Sequence, residues 1–308
     1  MPDTPFILRH DDNGTEAVVS VGGTDVAHYV YRPDTPVEES PKPYLYPLRT
    51  LSGAPLGVYR PWDHRWHKGL QMTWSHLSGD NFWGGPTFEE GAPGHGYVWR
   101  ENHGTQLHRA FDQDTTTEDA DLTLREHLDW VASSDDRWLT EVRTLRFHSA
   151  DPARGIWALD FGSDLTNVHD DALRMGSPTT HGRPNAGYTG LFWRGPRAWT
   201  DGDVIGADGH EGEDLMGARV PWAAIASDHD EIDGGATVLA LAGTTSADVP
   251  LTWFARSKQF AALNPSPAFD TEIKLPPGDT LRLRHRFVFV DRRIGREELE
   301  PLAAEFAL

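Results

Sequence analysis

Residues 280–291 of this chain read TLRLRHRFVFVD, and apolar and polar side chains alternate along the stretch. Successive side chains of a β-strand point to opposite faces of a sheet, so this alternation predicts a strand with one buried face. The side chains predicted on that face are Leu281, Leu283, His285, Phe287 and Phe289. The preceding turn, Pro-Pro-Gly-Asp at 276–279, combines the fixed φ of proline with the free φ of glycine.

Similar runs occupy much of the remaining chain. The longest two, 122–131 and 138–147, flank the polar loop 132–137, which predicts a β-hairpin. Shorter runs rich in β-branched and aromatic residues are bounded by Gly, Pro, Asp and Asn, and they predict further strands at 17–21, 26–31, 156–167, 220–226 and 237–242.

Helical periodicity is rare, and its best candidate is the C-terminal tail. Between 296 and 306, Leu299, Leu302, Ala303 and Phe306 share one face, which predicts a short closing helix. The acidic run 112–121 is interpreted as a solvated turn, and no linker divides the chain. We therefore predict an all-β protein, a single domain over 1–308, built as a large antiparallel β-sandwich of about fifteen strands.

Composition excludes several classes of function. The 308 residues include 28 basic and 47 acidic side chains, a net charge of -19, which argues against nucleic-acid and membrane partners. The absence of cysteine excludes disulfides, iron–sulfur clusters and thiol catalysis. No apolar run could span a membrane, and residues 1–5 do not resemble a signal peptide, so a cytoplasmic location is predicted.

Histidine and tryptophan are concentrated around 62–85, WDHRWHKGLQMTWSHLSGDNFWGG. Charged side chains beside tryptophans are costly in a core unless they are paired or used. Flat aromatic faces next to hydrogen-bonding groups are typical of sugar binding, because the C–H faces of the ring stack and its hydroxyls need polar partners. We predict ring stacking by Trp66, Trp74 and Trp193, the last from a later segment.

The spacing of His64 and His67 leaves two geometries open. In an extended backbone the two side chains point to opposite faces, whereas in a turn they converge for acid/base work or metal binding. Asp63 or Asp80 is predicted to orient one of them, because a carboxylate fixes the imidazole tautomer. A metal would need a third ligand, and no H-E-x-x-H or facial-triad spacing occurs.

Two later segments carry further candidate residues. In 179–197, His181 is a candidate for catalysis, and Arg183 and Arg194 are candidates to hold substrate oxygens. In 253–264, Arg256 and Lys258 are basic points in an acidic protein, and Lys258 is interpreted as a surface charge.

Three segments, 44–49, 62–85 and 183–197, resemble the bacterial PmoA-like family of DUF-type proteins, and the similarity runs over nearly the whole chain. The resemblance implies a sugar-related role, since members of that family look to be encoded among sugar oxidoreductases. It also implies that a 3-keto-glycoside could be cleaved by elimination after a base removes the proton next to the carbonyl.

The turn at 275–279 and the segment 164–169 are similar to blocks of the galactose mutarotase-like supersandwich. That similarity implies the same fold, with 67–69 where a mutarotase carries its first catalytic His and Gly. Mutarotases also use a glutamate base before the closing turn, and here only Glu272 is present, close to the turn. This departure argues against simple aldose 1-epimerisation.

The leading hypothesis is a carbohydrate-active enzyme that cleaves a glycosidic bond by hydrolysis or elimination, or isomerises a sugar, without a cofactor. The predicted catalytic residues are His64, His67, His181 and Asp63, and the predicted substrate-binding residues are Trp66, Lys68, Trp74, His76, Asp80, Arg183, Trp193 and Arg194. The alternatives are a non-catalytic sugar-binding protein and an enzyme with a divalent metal at His64 and His67, with His181 left open as a third ligand. In each case the partner is a small-molecule sugar or glycoside, and the oligomeric state is not predicted.

Overall fold

The computed structural model describes residues 4–93, 96–112 and 120–308. Their regular elements, numbered in chain order, are β1 (Phe6–His10), β2 (Glu16–Val21), β3 (Thr24–Val30), β4 (Tyr44–Leu48), β5 (Leu70–Trp74), β6 (His76–Leu77), β7 (Thr87–Phe88), β8 (Tyr97–Val98), β9 (Thr105–Phe111), β10 (Leu122–Val131), β11 (Arg137–Asp151), β12 (Ile156–Asn167), β13 (Leu173–Gly176), β14 (Thr189–Arg194), β15 (Asp203–Gly206), β16 (Trp222–Asp228), β17 (Gly235–Thr245), β18 (Thr252–Arg256), β19 (Ala262–Ser266), β20 (Ile273–Leu275), β21 (Thr280–Val290) and the helix α1 (Arg296–Glu305). The strands beyond the predicted number are mostly pieces of two to four residues, too short to show a period in sequence.

Two large antiparallel sheets form the sandwich. The first has the order β1-β2-β3-β4-β5-β14-β19-β18, and the second has the order β15-β16-β17-β21-β12-β11-β10-β9. Buried side chains from both sheets join in one apolar core. Such burial is the main favourable contribution to folding. The predicted all-β antiparallel sandwich is confirmed.

Strand β21 lies in the middle of the second sheet, between β12 and β17. The alternating side chains predicted to be buried are all at most 2% exposed: Leu281, Leu283, His285, Phe287 and Phe289. The polar side chains of the opposite face reach the outer surface, where Arg286 pairs with Asp160 of β12. The strand prediction is confirmed.

The predicted hairpin is also confirmed. Strands β10 and β11 pair from Leu122 with Phe147 to Val131 with Arg137, and a register shift occurs at the turn end. Most of the predicted solvated turn at 112–121 lies outside the described residues.

The predicted C-terminal helix is confirmed as α1. It buries Leu299, Leu302 and Ala303 against the core. None of the helices in the described ranges combines the length and the apolar character that a membrane span requires.

The outer face of the first sheet carries a second, smaller aromatic cluster. Trp83, Phe192, Phe254 and Phe269 are buried there, and Trp66 packs against them. The loops that enter β5, follow β6, precede β14 and leave β18 contribute to the candidate site, together with residues of β8, β14 and β18.

Candidate active site

A cavity of about 480 Å³ opens on the outer face of the first sheet. This volume lies within the range of small-molecule sites. Aromatic side chains form much of its wall, and polar side chains lie among them. The lining residues are Asp63, His64, Trp66, His67, Trp83, Gly84, Pro86, Tyr97, Arg183, Tyr188, Phe192, Phe254, Arg256, Gln259 and Phe260.

Strand alternation decides which side chains reach this cavity. In β14, Leu191 and Trp193 point into the main core, so Phe192 points to the outer face. In β18, Trp253 points into the core and Phe254 into the cavity by the same rule. The floor of the cavity therefore consists of the outward side chains of these two strands.

The histidines lie in a tight turn. The backbone N–H of His64 donates to the carbonyl of Pro61, and that of His67 donates to the carbonyl of His64. The N–H of Arg60 donates to the carbonyl of His67 and closes the loop. Gly69 follows with φ 56°, and a Cβ there would lie 2.2 Å from the carbonyl oxygen of Leu45, so only glycine fits. Of the two geometries that the sequence left open, the turn is the one observed.

A buried carboxylate holds both ends of this loop. Glu39 binds Arg60 with contacts of 2.6 and 3.0 Å and pairs with Lys68 at 2.9 Å. Lys68 is 1% exposed and does not line the cavity. The prediction that Lys68 contacts substrate is therefore not supported, because its ammonium group forms a buried ion pair with Glu39.

Asp63 and His64 form a hydrogen-bonded dyad at the cavity. Nδ1 of His64 donates to Oδ2 of Asp63 at 2.7 Å. That carboxylate is also paired with Arg197 and lies 3.8 Å from Arg194. Burial raises the pKa of Asp63, but the hydrogen bond from His64 and the nearby charges outweigh burial and keep that pKa below its usual range. With the proton on Nδ1, Nε2 of His64 holds a lone pair.

His67 has the opposite tautomer. An N–H of Arg194 donates to Nδ1 of His67 at 3.2 Å, so the neutral ring carries its proton on Nε2. Burial and then the neighbouring His64 and Arg194 lower the pKa of His67 well below its usual range. The two imidazoles stack with centroids 4.8 Å apart and planes 17° from parallel. The site thus presents one imidazole acceptor beside one imidazole donor.

Arg194 supports this pair from below. It is 1% exposed, and its guanidinium lies 3.6 Å from the ring centroid of Phe260. Burial lowers its pKa to about 10, so it stays charged at neutral pH. Arg194 does not line the cavity, so the prediction that it holds a substrate oxygen is not supported. It contacts His67 instead.

Arginines and tyrosines form a second polar group in the cavity. Arg183 donates to the hydroxyl of Tyr97, which lies 2.7 Å from the hydroxyl of Tyr188. The guanidinium of Arg256 lies 4.6 Å from the ring centroid of Phe254. Burial and then Arg183 lower the pKa of Arg256.

The two other predicted stacking tryptophans are core residues. Trp74 and Trp193 are 0% exposed. Their indole N–H groups donate to the carbonyls of Gly176 and Leu56. They cannot stack on a bound ring because both faces are already packed. Trp66 does line the cavity, and its stacking on a sugar ring stays a prediction.

The remaining predicted residues lie elsewhere. His181 stacks on His76 at 4.2 Å, and Nδ1 of His181 binds the carbonyl of Ser177, so neither ring lines the cavity. Asp80 accepts hydrogen bonds from the backbone N–H and the hydroxyl of Ser133, which ties two loops together. The structure does not bring these three residues to His64 and His67.

Several lining residues were missed from the sequence. Trp83, Tyr97, Tyr188, Phe192, Phe254, Gln259 and Phe260 reach the cavity without having been named as candidates. The sequence identifies Arg256 only as a basic point in an acidic protein. A usable signal existed in β14 and β18, where the neighbours of core tryptophans must face outward. Lys258 pairs with Glu213 at 3.0 Å on the surface, in agreement with its interpretation.

No cluster of three or more His, Cys, Asp or Glu residues suitable for a metal ion occurs within 4–93, 96–112 and 120–308. The metal alternative named His64 and His67 as ligands with His181 as a possible third, and the structure places His181 on His76, away from the other two.

Comparison with known proteins gives one match along the chain and several distant folds. A family model described as a family of unknown function (DUF6807) matches residues 16–304. No curated protein matches the chain. None of these comparisons supports a PmoA-like family.

Three solved structures illustrate the distant folds. A GH36 α-galactosidase, AgaA, from Geobacillus stearothermophilus aligns at 13% identity and a TM-score of 0.43 over 87% of this chain, which spans 40% of that enzyme. The Slr1438 protein from Synechocystis sp. aligns at 11% identity and a TM-score of 0.34, covering 94% of this chain and 96% of its own. A galactose 1-epimerase from Lactobacillus acidophilus aligns at 8% identity and a TM-score of 0.33. The alignment covers 94% of this chain and 98% of that enzyme. TM-scores this low identify no shared activity.

Proposed function

We propose that this chain, which belongs to the DUF6807 family of unknown function, is an enzyme that moves a proton on a sugar or glycoside substrate. The observation that carries the proposal is the 2.7 Å hydrogen bond between Asp63 and His64 at the mouth of an aromatic-walled cavity. A carboxylate that fixes one imidazole nitrogen leaves the other as a base, and a well-placed base contributes about 10²- to 10⁴-fold in rate.

The aromatic walls favour a sugar as substrate. Trp66, Trp83 and Phe260 line the cavity beside the two histidines. Aromatic faces of this kind pack on the C–H faces of a pyranose, while the polar groups of the same cavity bind its hydroxyls.

The pair of histidines fits proton abstraction next to a carbonyl. Nε2 of His64 takes the proton from carbon, and the electron pair of that C–H bond moves to the carbonyl oxygen as an enolate. Nε2–H of His67 donates to that oxygen, in the manner of an oxyanion hole. The protonated Nε2 of His64 then returns its proton in one of two ways. It protonates the β-glycosidic oxygen, which the enolate expels as an alcohol, or it protonates carbon to give an isomer.

Hydrolysis by two carboxylates is less compatible with this cavity. That mechanism needs two carboxyl groups about 5 to 9.5 Å apart across the scissile bond. Among the described lining residues Asp63 is the one carboxylate, and it is already paired with Arg197 and His64. Elimination or isomerisation of a keto-sugar derivative is therefore the reaction we favour.

The experiment is proton NMR in D₂O with the purified chain and a panel of aldoses, aryl glycosides and their 3-keto derivatives. Wild type is expected to exchange a carbon-bound proton for deuterium, or to release the leaving group, with at least one panel member. His64→Gln should lower that rate by about 10²- to 10⁴-fold. His127→Gln, a half-exposed histidine of β10 that pairs with Asp112, is the matched control and should keep the rate.

Two results would contradict the proposal. Equal rates for wild type and His64→Gln would remove the dyad from the chemistry. Binding of panel sugars without any exchange or product would instead identify a non-catalytic sugar-binding protein.

A further inference from the structure

Two arginines of the cavity lack the carboxylate partner that most arginines of this chain have. Ion pairs hold the majority of the described arginines, including the buried Arg143, which lies 2.8 Å from Glu141. Within the described residues, neither Arg183 nor Arg256 has a carboxylate within 4.0 Å, although the protein carries a net charge of -19.

The surroundings of Arg256 make this absence costly. Its guanidinium lies 4.6 Å from the ring centroid of Phe254 and 5.6 Å from that of Phe260. Its Nε is shut off from solvent and has no hydrogen-bond partner in the described chain. A desolvated donor without a partner is unfavourable, so such a group is retained where something else supplies the acceptor.

Arg183 lies next to it with a defined orientation. It is stacked 4.8 Å over Tyr97 and donates to the hydroxyl of that ring. Burial and then the Arg183 charge lower the pKa of Arg256, so the two cations of the cavity repel each other. An anion between them would relieve that repulsion.

We propose that Arg183 and Arg256 bind an anionic substituent of the substrate, so the substrate is an acidic sugar that carries a carboxylate or a phosphate. This inference rests on the proposed function, and it adds the class of sugar. Planar guanidinium forks match both oxyanions by paired N–H···O bonds, and in a low-dielectric cavity such charge-assisted bonds are strong. The acidic group would occupy the arginine end, and the reacting carbon would face His64.

The test is calorimetric titration of the full chain with matched ligands. Methyl glucoside and methyl galactoside are the neutral ligands, and the corresponding methyl uronides and 6-phosphates are the acidic ones. An acidic ligand is expected to bind at least about 10-fold tighter than its neutral partner, and added salt should weaken that preference. The uronide and phosphate arms tell which oxyanion is preferred.

The variants Arg183→Met and Arg256→Met should each weaken binding of the acidic ligand by about 10- to 100-fold. The affinity for the neutral ligand should stay unchanged. The matched control is Arg282→Met, which removes the same charge from an exposed position of β21 away from the cavity. The control should keep the wild-type preference.

The inference is overturned if wild type binds neutral and acidic ligands alike, if neither acid binds at millimolar concentration, or if the preference survives in both cavity variants. These outcomes are separable from failure of the proposed function. Acid-selective binding without any proton exchange would support the anion site and contradict the proposed enzymatic activity. Exchange on neutral sugars alone would support that activity and contradict the anion site.

Discussion

His285 makes the stability of this protein sensitive to acid. The residue is 1% exposed, and it lies opposite an irregularity in β17 where the register shifts between Leu241 and Thr244. Its Nδ1 donates to the carbonyl of Ala242 at 2.6 Å, while Nε2 is buried and has no hydrogen-bond partner among the described residues. Burial lowers the pKa of His285 from 6.5 to about 4, so the folded chain keeps this ring neutral.

The sign of the effect follows from proton linkage. Below pH 6.5 the imidazole of the unfolded chain is protonated, whereas that of the folded chain stays neutral down to about pH 4. Stability therefore falls as the pH falls through that interval. With these two pKa values, the free energy of unfolding falls by about 2.5 kcal/mol between about pH 8 and pH 4.5 through His285 alone. Other buried histidines, such as His76, add their own losses.

The assay is urea unfolding at both pH values for wild type, His285→Asn and His285→Leu. Asparagine keeps a donor near the position of Nδ1, and leucine removes it. Both variants lower stability at pH 8, but wild type should lose about 2.5 kcal/mol more than either variant on acidification. Parallel losses in all three proteins would show that His285 does not titrate in this interval and would refute the reasoning.

Three further predictions concern the site. Lys68→Met removes one partner of the buried Glu39, so it should lower the free energy of unfolding, measured without ligand, by about 3 kcal/mol. A substrate-binding lysine would instead change KM and leave the stability unchanged. Burial lowers the pKa of His64 below 6.5 despite the opposing effect of Asp63, so kcat/KM should be constant around neutral pH and fall only on acidification. A pH profile whose acidic limb is centred above 6.5 would contradict His64 as the base. His181→Asn should keep the rate within about threefold, since His181 stacks on His76 away from the cavity, and a loss of 10²-fold or more would restore its predicted catalytic role.

Much of the fold could be read locally. Alternation along β21 and across the β10–β11 hairpin identified strands and their buried faces, because the period of two is imposed by each strand's own geometry. The short strands β6, β7 and β8 escaped, since two residues show no period.

The site was predicted less completely, for two different reasons. The concentration of His and Trp around 62–85 pointed to the loop that carries Asp63, His64 and Trp66, and these residues do line the cavity. Composition alone could not tell a wall tryptophan from a core tryptophan, so Trp74 was misplaced. Its position at the end of β5, alternating with Gln71 and Thr73, would have placed it in the core.

The sequence by itself determined the strand pattern, the buried face of β21 and the loop that supplies the dyad, because each depends on neighbouring residues along the chain. Only the tertiary structure decided that Arg256 shares a cavity with His64, and that His181 does not. Within the first sheet, β5, β14, β19 and β18 are successive neighbours, so strands distant in sequence lie side by side. Hydrogen bonding between such strands leaves no trace in local periodicity, and for that reason the composition of the cavity emerges only once the sheet is assembled.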